Sequence, residues 1–433
     1  MRLTRTLRRN LIKLLDTDLS QKLEHYAKFI PSPVSITHFL EHGRKASKET
    51  SYFFMRKEIP VRLANIIKEL ELIPDILQQQ VSFCQIQDLY VQSLQDCLEF
   101  EVSSNNDAIQ NSFREVLKKI RTRHIDTVPM MADALHQMKT QQKGKLHPAI
   151  ESQIQYFLNR LYMSRISIHM MIHQHALTFG NESSKSPDFV GCINPECNIM
   201  EIIEDAYSNA SFLCDQHYSV SPKKNVKIIN TTSMGDPDKV IFPYVPAHLH
   251  YILFELLKNA LRATIERHED SPNGIPDVDV LVVKSPCDVT IKISDQGGGI
   301  PYSITDKLFQ YMYTTAPSPS SNNCLGQTPI AGLGYGLPLS RLYARYFRGD
   351  VVLASQDGYG TDVTVYLRAL SDEAYEYLPV YNHMTKLLYE KPRPLSCDWT
   401  DPTASLGSSR SAKVKFNNAS HYNNASNFKN NYF

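Results

Sequence analysis

The sequence predicts an α + α/β chain in which an antiparallel four-helix bundle precedes an α/β sandwich, one helical layer on a mixed sheet. Three observations carry that reading. Between residues 20 and 180, apolar residues recur at helical spacing in four long segments, and glycine is scarce. After about Ser186 the chain turns to β-branched or alternating runs interrupted by helical ones. Three glycine-rich stretches in this second half each fall at the end of a regular element. At 433 residues the chain is long enough for two or three domains of roughly 100–200 residues.

Taken in order, residues 1–19 open with MRLTRTLRRNLIKLL, which carries five Lys or Arg and no acid before Asp16. Arginines among leucines have the composition of a mitochondrial transit peptide, and equally of a basic first helix. The bundle spans 20–180. IPVRLANIIKELELIPDIL (59–77) places Val61, Ala64, Ile67 and Leu70 at helical spacing and is closed by Pro74. DLYVQSLQDCLEF (88–100), AIQNSFREVLKKIRTRH (108–124) and PAIESQIQYFLNRLYMSRISIHMMIHQHAL (148–177) follow the same period with polar opposite faces. Over 181–372, VKIINTT (226–232), VDVLVVK (278–284), CDVTIKISD (287–295), DVVLASQ (350–356) and TDVTVYLRAL (361–370) read as strands, with helices near 246–268 and 338–347. Residues 373–433 form a C-terminal arm. From about Thr403 it is rich in Asn and Ser and too poor in aliphatics to offset its ordering entropy.

Composition excludes several classes. With 42% hydrophobic and 21% charged residues the chain is neither wholly disordered nor fibrous. Lys+Arg minus Asp+Glu is 46 − 45 = +1, so no basic field points to nucleic acid. No apolar run approaches the roughly 18 residues that span a bilayer, so no membrane insertion is expected. The eight cysteines include no CxxC pair, which argues against a zinc knuckle or disulfide framework.

Chemistry concentrates in the second half. HLHYILFELLKNALRATIE (248–266) is a helix with an apolar face of Leu249, Ile252, Leu253, Leu256, Ala260 and Leu261. Glu255, Asn259 and Arg262, spaced i, i+4, i+7, share another stripe. In ISDQGGGIP (293–301) a strand ends in Asp295, and the glycines after it let the backbone turn sharply and approach a ligand. An acid there can accept from an adenine amino group; taken alone, the same glycines make a simple turn. In AGLGYGLPLSRLYARYF (331–347), Gly332, Gly334 and Gly336 open a helix marked by Pro338, an anion site by its free N–H groups and dipole. The Lys-Ser/Thr of a P-loop is absent. GYGTDVTVYL (358–367) adds a glycine turn into a last strand.

An Asn-bearing helix, an Asp-x-Gly-x-Gly turn, a glycine-rich lid and a Gly-Thr strand, in that order, resemble the ATP-binding fold of the GHKL superfamily. Within it, the chain is similar to the mitochondrial pyruvate dehydrogenase kinase family over roughly residues 20–402. PSPVSITHFLEHG, PVRLANIIKEL, RTRHIDTVPMMA, YFLNRLYMSRISI, FELLKNALRATIE, LFQYMYTTAP and GLGYGLPLSRLYARYF match that family's blocks, and Asp398-Trp399 matches its C-terminal DW pair.

The resemblance implies a mitochondrial matrix serine kinase that uses Mg²⁺ and ATP to phosphorylate and inactivate the E1 α subunit of the pyruvate dehydrogenase complex. It implies Glu255 as general base or orienting group for the substrate hydroxyl and Asn259 as the Mg²⁺ ligand. The ATP pocket would run through Glu255, Leu256, Leu257, Lys258, Asn259, Ala260, Leu261 and Arg262. Asp295 would take the adenine, Gly297 and Gly299 would admit it, and Thr314 and Thr315 would contact ATP. Gly332, Leu333, Gly334, Tyr335, Gly336 and Leu337 would form the lid, with Thr361 by the base. Tyr90, Arg121, His124, Arg165 and His169 match a regulatory small-acid pocket. The helical half would bind the lipoyl domain of the acetyltransferase core, with residues 31–43 contributing, and Asp398 and Trp399 would dock across a homodimer.

Two positions depart from the family pattern. Tyr251 stands where the family has a histidine four residues before the catalytic glutamate; a phenol can donate a hydrogen bond to Glu255 but does not titrate near neutrality. His169 replaces an arginine of the small-acid pocket, so weak inhibition by pyruvate-like acids is expected. Three other readings exist: a branched-chain dehydrogenase kinase, a non-catalytic ATP-binding scaffold on the dehydrogenase core, and a sensor histidine kinase. The last is disfavoured because none of His169, His173 and His175 is followed by the usual acid.

Overall fold

The computed structural model describes residues 17–101, 106–142, 146–180, 188–230, 239–269, 271–272, 274–314 and 334–390. These residues belong to one compact unit. Helices come first: α1 (Thr17–Tyr26), α2 (Ile36–Lys45), α3 (Lys48–Leu70), the single turn α4 (Asp75–Gln78), α5 (Val81–Leu98), α6 (Asp107–Arg123), α7 (Thr127–Gln141) and α8 (Pro148–Phe179). Side-chain oxygens of Ser35, Ser47 and Asn106 accept the N–H three residues on and so start α2, α3 and α6. Pro148 opens α8, where its missing donor costs nothing. Leu63, Ile67, Phe83, Phe157 and Leu161 are fully buried among these helices.

Three elements differ from their sequence reading. The segment 59–77 belongs to a helix that begins at Lys48, passes through Pro60 and ends at Leu70, so Pro74 starts α4 rather than closing the longer helix. The polar side of α3 is also buried. Arg62 bonds Glu58 and Glu376 at 2.7–2.8 Å, Asn65 donates to the carbonyl of Phe29 and accepts from the N–H of Tyr381, and Glu69 is held by Arg160 and Tyr389. A periodicity argument reads such residues as solvent-facing because it cannot see the chain that returns to cover them. Beyond the 108–124 segment, the chain turns at His124–Asp126 and forms α7, a further helix.

The second half contains β1 (Asn194–Asn198), α9 (Ile199–Tyr218), β2 (Lys224–Asn230), β3 (Ile241–Tyr244), α10 (Pro246–His268), β4 (Val278–Lys284), β5 (Asp288–Asp295), a 3₁₀ turn (Tyr302–Lys307), α11 (Gly336–Tyr346), β6 (Asp350–Gln356), β7 (Gly360–Arg368) and α12 (His383–Glu390). The five-stranded sheet has the order β2-β4-β5-β7-β6; β2 and β4 are parallel and the other pairs antiparallel. Val280, Val282, Ile291, Ile293 and Val365 are buried beneath Leu253, Leu257 and Leu261 of α10. The mixed α/β layer is therefore as the sequence predicts, with two short strands and α9 in addition. The buried stripe of α9 includes Ala206, Ala210 and Cys214, too weak in hydrophobicity to stand out but small enough to let α9 lie close against α10.

The chain then runs back over the helices. Ile36 donates its N–H to the carbonyl of Ala374 at 3.2 Å. Glu376, wholly buried, takes Arg62, the N–H of Val34 and the hydroxyl of Tyr346. Gln153 donates to the carbonyl of Tyr389. No described helix is long and apolar enough to cross a membrane.

Candidate functional site

A cavity of about 500 Å³ lies between α10, α11 and the ends of β5, β6 and β7. Helix α10 presents its stripe to it: Glu255, Lys258, Asn259 and Arg262 all line the wall. Lys258 Nζ bonds both carboxylate oxygens of Glu255, at 2.8 and 2.9 Å, and packs over the ring of Phe254. Asn259 is exposed and its side chain makes no hydrogen bond among the described residues. Arg262 lines the cavity, but its guanidinium is engaged by Glu266 at 2.7 Å.

The expected bond from Tyr251 to Glu255 is not what the described residues show. Tyr251 leans on Tyr343, ring centroids 4.9 Å apart, and the only bonded partner of Glu255 among them is Lys258. Burial and then the Glu255 charge push the Tyr251 phenol far above its usual range, so it stays protonated. His250 faces another way, stacked on Phe254 and bonded to Asn209.

Asp295 ends β5 at the cavity floor. Its Oδ1 accepts the N–H of Gly297 at 2.9 Å and that of Thr361 at 3.2 Å. Burial nevertheless outweighs these bonds and raises its carboxyl to about 6. Gly299, at φ +71°, lies against the carbonyl of Gln356, where a side chain has no room. Thr361 pairs with Ser355, which also caps the N–H of Ile300. Ile293, Val363 and Leu353 are register partners on three successive strands and form an apolar strip in the cavity wall. No sequence signal singled these three out, because cross-strand register is set only by pairing.

The far wall is Thr314 on one side and Gly334, Gly336, Leu337 and Pro338 on the other. A Cβ at Gly336 would fall on Glu255 Oε2, so any larger residue there displaces the carboxylate. Leu256 and Ala260 also line the cavity. Leu257 and Leu261, expected in the pocket, are fully buried on the stripe of α10 that faces the sheet. Tyr335 likewise turns into the core, against Tyr162 and Tyr311. Thr315, Gly332, Leu333, Asp398 and Trp399 lie outside the described residues. No His/Cys/Asp/Glu cluster fit to hold a metal occurs among the described residues.

In the helical half, Tyr90, Arg121, His124, Arg165 and His169 do come together, around a cavity of only about 10 Å³, room for one water. The Tyr90 hydroxyl is buried there without a hydrogen-bond partner among the described residues. Burial, with Arg165 adding repulsion, lowers His169 to about 4 and His124 to about 3, so both are neutral near pH 7. A larger groove of about 910 Å³, lined by Phe39, His42, Phe54, Met55 and Phe179 among others, lies between α2, α3 and the end of α8.

A sandwich of this topology, with its cavity between two helices and an Asp-ended strand, is an ATPase domain of the GHKL class. Residues 244–371 match the family described as histidine kinase-, DNA gyrase B- and HSP90-like ATPase. Residues 33–194 match the one described as mitochondrial branched-chain alpha-ketoacid dehydrogenase kinase. Over nearly the whole chain, the similar proteins are pyruvate dehydrogenase (acetyl-transferring) kinases, all described as mitochondrial. That of Drosophila melanogaster is 47% identical over 384 residues, 88% of this chain and 92% of the relative. Isozyme 3 of Mus musculus is 45% identical over 406 residues, 93% of this chain and 96% of the relative. Isozyme 3 of Homo sapiens is 45% identical over 405, or 93% and 98%. The chain belongs to the mitochondrial pyruvate dehydrogenase kinase family.

Proposed function

We propose that this chain is a serine kinase of the mitochondrial matrix that transfers the γ-phosphoryl group of ATP to the E1 α subunit of the pyruvate dehydrogenase complex, inactivating it. The observation that carries the reading is the pairing of Glu255 and Asn259, one turn apart on α10, at a cavity wall completed by Gly336. Glu255 accepts the proton of the substrate serine as its oxygen bonds the γ-phosphorus and the bond to the ADP oxygen breaks, a role that adds about 10²–10⁴-fold. Lys258 holds that carboxylate in place through both of its oxygens. Asn259, whose side chain has no hydrogen-bond partner among the described residues, would hold a Mg²⁺ ion, which would supply charge neutralisation at the phosphates. The N–H groups at the start of α11 face the same space. Asp295 and the Ile293–Val363–Leu353 strip receive the adenine.

Other roles follow from other surfaces. The helical half is read as an antiparallel four-helix bundle built on α3, α5, α6 and α8. Its 910 Å³ groove has the size and apolar lining to take the lipoyl group of the acetyltransferase core. The outer face of the five-stranded sheet carries exposed Val352 and Tyr366, a surface for homodimer contact. The small-acid cluster has too little open volume for a carboxylic acid unless its side chains move, and His169 brings no charge.

Radiolabel transfer from Mg-ATP to purified pyruvate dehydrogenase E1, with Glu255→Gln as control, tests the reading. Label on the α subunit, reduced at least 10²-fold in the control, supports it. Label only on branched-chain E1, or nucleotide binding with no transfer to either, refutes it.

A further inference from the structure

Helix α8 belongs to the helical half, yet three of its side chains, Gln155, Asn159 and Tyr162, at i, i+4 and i+7, hold Tyr311 and Tyr335, next to residues that line the nucleotide cavity. The Gln155 amide takes both backbone groups of Tyr311: the Tyr311 N–H donates to Oε1 at 2.8 Å, and Nε2 donates to the Tyr311 carbonyl at 3.2 Å. The Tyr311 hydroxyl donates to Asn159 Oδ1 at 3.0 Å. The Tyr162 ring meets those of Tyr311 and Tyr335 at 5.2 and 6.0 Å, and these two meet each other at 5.5 Å. All three rings are buried.

What these contacts hold is strained. Met312, directly after the clamped residue, sits at φ +63°, a left-handed conformation that is unfavourable for an L-residue with a side chain. Such a conformation persists where its surroundings over-determine it. The Met312 N–H donates to the carbonyl of Gly334, and Gly334 in turn lies against the backbone of Tyr313. Tyr311 is thus an anchor just before Tyr313 and Thr314, and Tyr335 an anchor within the stretch from which Gly334, Gly336 and Leu337 line the cavity. That stretch places Gly336 against Glu255.

We propose that Gln155, with Asn159 and Tyr162, is a positioning residue for nucleotide binding: the helical half builds one wall of the ATP site through Tyr311 and Tyr335. The proposal rests on the reading of the cavity as an ATP site. None of the three residues lines the cavity, so they act through the residues that do.

The test is calorimetric binding of Mg-ATP to the full chain, with steady-state kinetics alongside. Gln155→Met keeps the length of the side chain and removes both hydrogen bonds; the dissociation constant and the KM for ATP rise about tenfold while kcat at saturation stays within about twofold. Tyr311→Phe loses one bond, and its affinity falls about threefold. Gln153→Met is the control, because Gln153, also on α8, captures the backbone carbonyl of Tyr389 and neither residue lines the cavity; its affinity for ATP stays at the wild-type value. Equal weakening in the Gln153 and Gln155 variants, or unchanged affinity in both Gln155→Met and Tyr311→Phe, overturns the proposal. If Gln155→Met fails to fold, Tyr311→Phe decides alone. A wild-type chain that binds no ATP refutes the site itself.

Discussion

Asp295→Asn separates the stability of this fold from its ligand chemistry. The carboxyl is almost wholly buried at the end of β5, and it accepts two N–H groups through Oδ1. Its pKa of about 6, against 3.8 in an open chain, means that the native state holds the proton to higher pH than the unfolded state. Below pH about 4 both states are protonated and the group contributes no difference. As pH rises from 4 to 6 the unfolded chain releases its proton first, so native stability falls, and above 6 the penalty is fully present. At about 1.4 kcal/mol per pH unit it reaches on the order of 3 kcal/mol. An asparagine has the same shape, keeps the acceptor for Gly297 and Thr361, and carries no charge to desolvate. The nucleotide-free variant therefore melts about 5 °C or more above wild type at pH 7.5, at roughly 2–4 °C per kcal/mol, and the difference vanishes by pH 4. Its affinity for ATP moves the other way. An amide N–H₂ facing the adenine amino group sets donor against donor, a loss of about 1.5–3 kcal/mol or roughly 10–150-fold. Thermal melts across pH, with and without ATP, read both effects. A variant that melts lower than wild type at pH 7.5, or that binds ATP as tightly, refutes the reasoning.

Two further substitutions test other parts of the molecule. Arg62→Met strands Glu58 and Glu376 in the core, with one buried guanidinium removed from between them; urea unfolding should show a loss of about 3–5 kcal/mol, partly restored by Glu376→Gln in the same chain. In wild type, dichloroacetate inhibits weakly and to the same degree at pH 6 and pH 8, since His169 is neutral throughout. His169→Arg adds a permanent cation and strengthens inhibition about tenfold or more. Inhibition that grows in wild type toward pH 6 contradicts the assignment of a neutral His169.

Much of this protein follows from local sequence. The strands 278–284, 287–295 and 350–356 declare themselves by β-branched alternation, and α10 by its apolar stripe, because burial against one neighbouring layer imposes a period on the chain itself. Glu255, Asn259 and Asp295 are legible for a related reason: helical spacing and the Asp-to-glycine step are short-range facts, and tertiary packing leaves them in place. Other features have no short-range cause. The polar residues of α3 are core residues because the chain around Glu376, more than three hundred residues on, returns to satisfy them. Ile293, Val363 and Leu353 align only through the register of three strands, and Tyr335 leaves the cavity for the core because Tyr162 and Tyr311 wait there. The grip of Gln155 on Tyr311 joins helix α8 to a loop 156 positions away. Periodicity and spacing record what a residue's neighbours in sequence demand, and which distant segment meets it is decided when the layers close.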